Sequence, residues 1–93
     1  MRRIIWTDEA VTNLAAIVDY TAMFNPAAAA KLAERLVSLA DSLADFSERG
    51  RDVGDGRREM TTVRPYILRY RVRDDAVVIL RIRHGAREPD DER

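Results

Sequence analysis

From Tyr66 onward the chain alternates between apolar and charged positions with period two. Tyr66, Leu68, Tyr70 and Val72 fall on one face of a strand, and Ile67, Arg69, Arg71 and Arg73 fall on the other, because successive side chains point to opposite sides. A short turn at Arg73-Asp74-Asp75-Ala76 follows. The alternation then resumes, with Val78, Leu80 and Ile82 on the dry face and Val77, Ile79, Arg81 and Arg83 on the other. The pattern predicts a hairpin with one dry face and one arginine-rich face. The dry face needs a cover.

The first half of the chain reads as that cover. Arg2 to Trp6 is a short β-branched and aromatic run, expected to be a first strand; its flanks leave open whether Trp6 lies in the core or under a partner. Thr7 is an N-cap, with Asp8 and Glu9 in the first turn at the positive helix end. Val11, Leu14, Val18 and Thr21 then share a helical face, with Ala15 and Ile17 beside them, and this helix is expected to end near Phe24. Asn25-Pro26 reads as a second N-cap followed by proline at the first helical position. Leu32, Leu36, Leu39, Leu43 and Phe46 recur at spacings of four and three, a core stripe on a slim, alanine-rich helix.

Ser47 to Gly56 has three glycines and no apolar periodicity, so a mobile loop is expected. Arg57 to Val63 is a strand of weak alternation, and Pro65 marks the bend into the Tyr66 strand. The order β-α-α-β-β-β implies an α+β domain, with a two-helix hairpin packed on a small, mostly antiparallel sheet. Residues 1–93 read as a single domain, with 86–93 a flexible charged tail.

Composition narrows the function. With 93 residues there is room for one modest core. The absence of cysteine excludes a disulfide framework and any thiolate metal site. No apolar run reaches the roughly 18 residues of a membrane span, and the N-terminus lacks a signal-peptide core, so a cytoplasmic protein is expected. The net charge is zero, but residues 49–87 carry eleven arginines against five acids, while residues 1–48 carry four basic and seven acidic residues. Lys31 is the only lysine. Arginine offers a planar fork of donors for carboxylates and phosphates, where lysine offers a point charge.

Few residues suggest catalysis. His84 is the only histidine, and alternation sets it beside Ile82 at the core margin, a structural position. Glu59 reads as a surface strand carboxylate paired with a neighbouring arginine. Tyr66 and Tyr70 read as core aromatics. Arg69, Arg71, Arg81 and Arg83 project from one face across paired strands, where like charges are unfavourable unless something negative meets them. No metal, cofactor or catalytic residue is assigned.

The series W-T-D-E-A with Leu14 and Ile17, then N-P-A-A-A, then G-R before a strand, then P-Y-I-L-R-Y-R-V and V-V-I-L-R-I-R-H-G, resembles the RelE/ParE toxins of bacterial toxin–antitoxin systems over about Ile5 to Arg87. The resemblance implies the element order already read from periodicity. It also implies neutralisation by a cognate antitoxin, whose acidic, amphipathic segment wraps the toxin. RelE-like members cut mRNA on the ribosome; ParE-like members poison DNA gyrase. A nuclease needs a general base, a general acid and cations for the phosphate. Here Ile67 follows Tyr66 where RelE has arginine, no lysine lies near Arg58 to Met60, and no tyrosine follows Arg87. The Gly85-Ala86-Arg87-Glu88 segment matches both branches. The resemblance therefore favours the ParE-like branch, with gyrase as the target and the ribosome and its mRNA as the alternative. Arg58, Arg64, Arg69, Arg71, Arg81, Arg83 and Arg87 are the residues expected to bind antitoxin or target.

Overall fold

The structure is a computed structural model and describes residues 1–86; Arg87 and the rest of the charged tail lie outside the described residues. The elements are β1 (Arg3–Trp6), α1 (Asp8–Ala22), α2 (Pro26–Ser42), β2 (Arg51–Gly54), β3 (Arg57–Met60), β4 (Tyr66–Val72) and β5 (Ala76–His84). The strands form one sheet in the order β1-β5-β4-β3-β2, with β1 parallel to β5 and the other pairs antiparallel. Both helices pack on one face, which is the expected α+β architecture with one strand more than the alternation revealed.

The caps fix the helices where the sequence put them. Thr7 Oγ1 accepts the Ala10 amide at 3.1 Å and donates to the Ile79 carbonyl at 2.9 Å, so it caps α1 and ties it to β5 at once. Asn25 Oδ1 accepts the Ala28 amide at 3.0 Å, and Pro26 opens α2. Past the end of β1, Asn13 Oδ1 accepts the Ile82 amide at 3.0 Å, so α1 satisfies the β5 edge that β1 no longer reaches.

Leu36, Leu39 and Leu43 are buried, as the stripe requires, and Leu32 packs beside them. Two expected core residues are not. Phe46 is 62% exposed because α2 ends at Ser42 and the helical phase does not carry past it. Val11 is 52% exposed, since Ala10, Leu14 and Ile17 carry the inward face of α1 and Val11 lies a helical step outside it.

The β5 strand corrects the alternation itself. Its register against β4 shifts between Arg69 and Tyr70: Arg69 faces Arg81, but Tyr70 faces Ile79. Leu80 is the extra residue of a bulge, and a one-residue shift turns every side chain before it to the other face. Val77 and Ile79, assigned to the arginine face, are therefore core residues with no exposed surface, while Val78 lies opposite Arg71. Ile82, Arg81 and Arg83, beyond the bulge, keep the expected faces. Parallel pairing of β1 with β5 sets Ile4 and Trp6 toward the core and Ile5 beside Val78 on the open side.

The expected mobile loop from Ser47 to Gly56 is also corrected. It contains β2 and the turn into β3, where Gly54, Asp55 and Gly56 all have positive φ (94°, 55° and 73°). Ahead of β2, the segment from Ala44 to Gly50 passes under the helix-facing side of the sheet, with Ser47 and Gly50 buried. Tyr70 pins it there, its hydroxyl donating to the Ser47 carbonyl at 2.7 Å and accepting the Gly50 amide at 2.8 Å. A methyl group on Gly50 would stand 2.6 Å from that hydroxyl.

Candidate functional site

The sheet face away from the helices brings the predicted arginines together. Pairing aligns Arg51, Glu59, Arg69 and Arg81 in one row across β2, β3, β4 and β5. A second row holds Arg57, Arg71, Val78 and Ile5, and a third pairs Ile67 with Arg83. Like charges thus stand directly opposite each other twice, at Arg69–Arg81 and Arg57–Arg71, an unfavourable arrangement without compensation.

Glu59 supplies the main compensation. Its Oε2 accepts from Arg69 Nε at 2.9 Å and from Arg69 Nη2 at 2.6 Å, while Arg51 reaches Oε1 at 3.6 Å. This is a buried pair rather than the surface carboxylate expected: Glu59 is 5% exposed and Arg69 3%. Around it, Arg57 lies 3.6 Å from Asp55, Arg71 Nη1 donates to the Asp55 carbonyl at 2.6 Å, and Arg81 lies 3.9 Å from Glu9 in the first turn of α1. Arg83 is buried as well. Among the described residues, Arg51, Arg57, Arg69 and Arg81 meet the carboxylates of Glu59, Asp55 and Glu9, and Arg71 and Arg83 share the face with them. That leaves a positive surplus, held in a fixed geometry by internal pairing.

Two predicted site residues stand elsewhere. Arg58 pairs with Tyr70 in the β3–β4 register, so it points to the helix-facing side, where Nη1 donates to the Gly50 carbonyl at 2.8 Å. Arg64 is exposed in the connection from β3 to β4. Arg87 lies outside the described residues. Arg51 and Arg57 belong to the face but escaped the sequence reading: Arg57 had the right period with Glu59, and Arg51 sat in the stretch read as a loop.

The aromatic and titratable residues turn the other way. Tyr70 is fully buried on the helix-facing side, and burial pushes its phenol above the ordinary 10.0, only partly offset by the Gly50 amide and by the nearby Arg58 and Arg49 guanidiniums. Tyr66 packs against the core and meets the His84 ring edge-on at 5.5 Å. His84 Nδ1 accepts the Ala86 amide at 3.2 Å, consistent with a structural histidine at the strand end. Among the described residues no group of His, Asp and Glu side chains could hold a metal ion, and no helix is long and apolar enough to cross a membrane.

Comparison with known proteins follows this fold closely. Residues 4–89 match the family model described as the ParE toxin of the type II toxin–antitoxin system parDE. The chain is 48% identical to Toxin RelE2 of Caulobacter vibrioides over 87 residues, covering 94% of this chain and 99% of that protein. It is 42% identical to Toxin RelE3 of the same organism over 63 residues, 64% of this chain and 68% of that protein. A solved structure described as the chromosomal ParDE TA system from P. aeruginosa superposes with a TM-score of 0.79 at 28% identity, covering 90% of this chain and 96% of that one.

Proposed function

The chain belongs to the ParE toxin family of type II toxin–antitoxin systems, and from that premise we propose that it acts by inhibiting DNA gyrase and is silenced by a cognate antitoxin. The observation that carries this reading is the state of the open sheet face. Its carboxylate, Glu59, is buried and already engaged by Arg69, so a substrate hydroxyl does not reach it as a base. Tyr70 and Tyr66, the strand aromatics, turn to the helix-facing side, away from any nucleotide on the arginine face. What the face offers is positive charge in a fixed pattern, suited to a large negatively charged target and not to an acid–base cycle. Arg71 and Arg81, with Arg57 and Arg51 beside them, are the residues assigned to that contact. The companion partner is an antitoxin, since the similar P. aeruginosa structure is that of a ParDE TA system.

A second reading is favoured by the names of the relatives. At 48% identity to a protein called RelE2, a ribosome-dependent mRNA endonuclease is the alternative activity. One experiment separates them. Purified protein is incubated with gyrase and supercoiled DNA, and in parallel with ribosomes carrying a defined mRNA. Trapped DNA cleavage or lost supercoiling, with the mRNA intact, is the expected result. Codon-dependent mRNA cleavage with gyrase unaffected would replace the gyrase reading by the nuclease one.

A further inference from the structure

A groove of about 320 Å³ lies off the arginine face, between the second half of α2 and the β3–β4 connection. Arg35, Ser38, Leu39 and Ser42 line one wall at helical spacings of three and four, so they form a single stripe on α2. Thr62 and Val63 form the other wall, and Leu39 and Val63 give it an apolar floor. Arg49 closes one end, its Nη1 fixed on Ser42 Oγ at 2.7 Å. Arg35, exposed, stands at the other end. Seven residues of helix separate Arg35 from Ser42, or about 10 Å. The groove is at the small end of the roughly 300–1,000 Å³ of ligand pockets, room for one or two side chains. Its lining holds two guanidiniums and no carboxylate.

We propose that this groove is a docking site for the antitoxin, taking an apolar side chain on the Leu39–Val63 floor bracketed by two carboxylates about 10 Å apart, at the rise of seven helical residues or three extended ones. The inference rests on the toxin–antitoxin reading above and adds to it a surface separate from the arginine face. Charge complementarity decides the occupant: an apolar floor between two guanidiniums selects an acidic amphipathic segment over a basic or neutral one. Because the groove and the open sheet face share no residue, antitoxin capture and target contact use different arginines.

The test uses the full chain and the purified antitoxin encoded beside it. R35E removes one end of the bracket at an exposed site, and S38W fills the groove without changing charge. R73E, on the exposed β4–β5 turn, is the charge control. Affinity is expected to fall about 10-fold or more in R35E and in S38W, to become less salt-dependent in R35E, and to stay within about 2-fold in R73E. In cells, R35E is expected to remain toxic while antitoxin co-expression no longer rescues growth. Unchanged affinity in both R35E and S38W, with the wild type binding tightly, overturns the groove and leaves the toxin–antitoxin reading standing. Failure of the wild type to bind that antitoxin strikes the reading itself. Self-association of the free chain that S38W abolishes, with antitoxin affinity unchanged, assigns the groove to a second copy and also overturns the proposal.

Discussion

Each face of the sheet has residues shut off from water, and they are kept so by opposite means. On the helix-facing side Leu36, Leu43, Leu68, Ile79 and Ile82 are at most 1% exposed, and burial of apolar surface holds them. On the open side Glu59 and Arg69 are nearly as dry, yet each carries a charge. On the first side apolar attraction is spread over many contacts, so losing one member costs its own transfer and cavity terms and strands no charge. The second depends on pairing, since a buried charge without its partner is expensive. The difference teaches where the molecule is fragile. The hydrophobic layer sets the stability, while one carboxylate holds the Arg69 and Arg51 guanidiniums on the open face.

The sharpest way to break that comparison is at Glu59. E59A leaves Arg69 buried opposite Arg81 and is expected to cost about 3–5 kcal/mol, read as a shift in the urea unfolding midpoint. Replacing both partners, as E59M/R69M, is expected to recover most of the loss, because the desolvated charges leave together. A loss below about 1 kcal/mol in E59A would mean that the face behaves as an ordinary solvated surface. On the other side, L36A is expected to cost about 2–5 kcal/mol by transfer and cavity terms, with no rescue from a second substitution. If E59A and L36A responded alike to rescue, the two faces would not differ in kind.

The same contrast decides what was legible in the sequence. The caps at Thr7 and Asn25-Pro26 are local chemistry, and each residue carries its signal within one turn. The leucine stripe and the alternation from Tyr66 to Val72 are single-element periodicities, and both were readable. The bulge at Leu80 was not, because Val77-Val78-Ile79-Leu80 is apolar throughout and gives no phase; only the pairing with β4 sets it. Arg57-Arg58 is ambiguous for the same reason, both residues being arginine, and their opposite directions follow from the β3–β4 register. Edge strand β2 has little to bury and so little alternation to show. The Glu59–Arg69 pair joins residues of two strands, and its burial is a property of the assembled face. The arginine cluster was legible as composition, but its internal pairing was not.

The segment from Ala44 to Gly50 offers a smaller test of the helix-facing side. Hydrogen bonds through Tyr70 and Arg58 hold it. G50A would set a methyl group 2.6 Å from the Tyr70 hydroxyl and 2.8 Å from its ring, in a site with no room to yield. The expected loss is about 1–3 kcal/mol, typical of overpacking, with faster amide exchange confined to residues 44–50. A stable variant with unchanged exchange would show that the segment does not depend on this contact.

The smallest effect is a pH dependence, and Tyr70 gives its sign. Burial raises the phenol of the folded protein above the 10.0 of an exposed tyrosine. Below about pH 10 both states hold the proton, and the hydroxyl's bonds to Ser47 and Gly50 contribute in full. As pH rises past that value the unfolded chain releases its proton first, so the folded state binds more protons and stability falls with pH. The loss continues until the folded phenol itself ionises. Thermal melts from pH 8 to 11 are expected to show a decline in wild type that begins near pH 10 and is shallower in Y70F. Y70F should already melt lower at neutral pH, because it leaves the Ser47 carbonyl and the Gly50 amide without their partner. Parallel alkaline declines in the two proteins would assign the sensitivity to groups other than Tyr70.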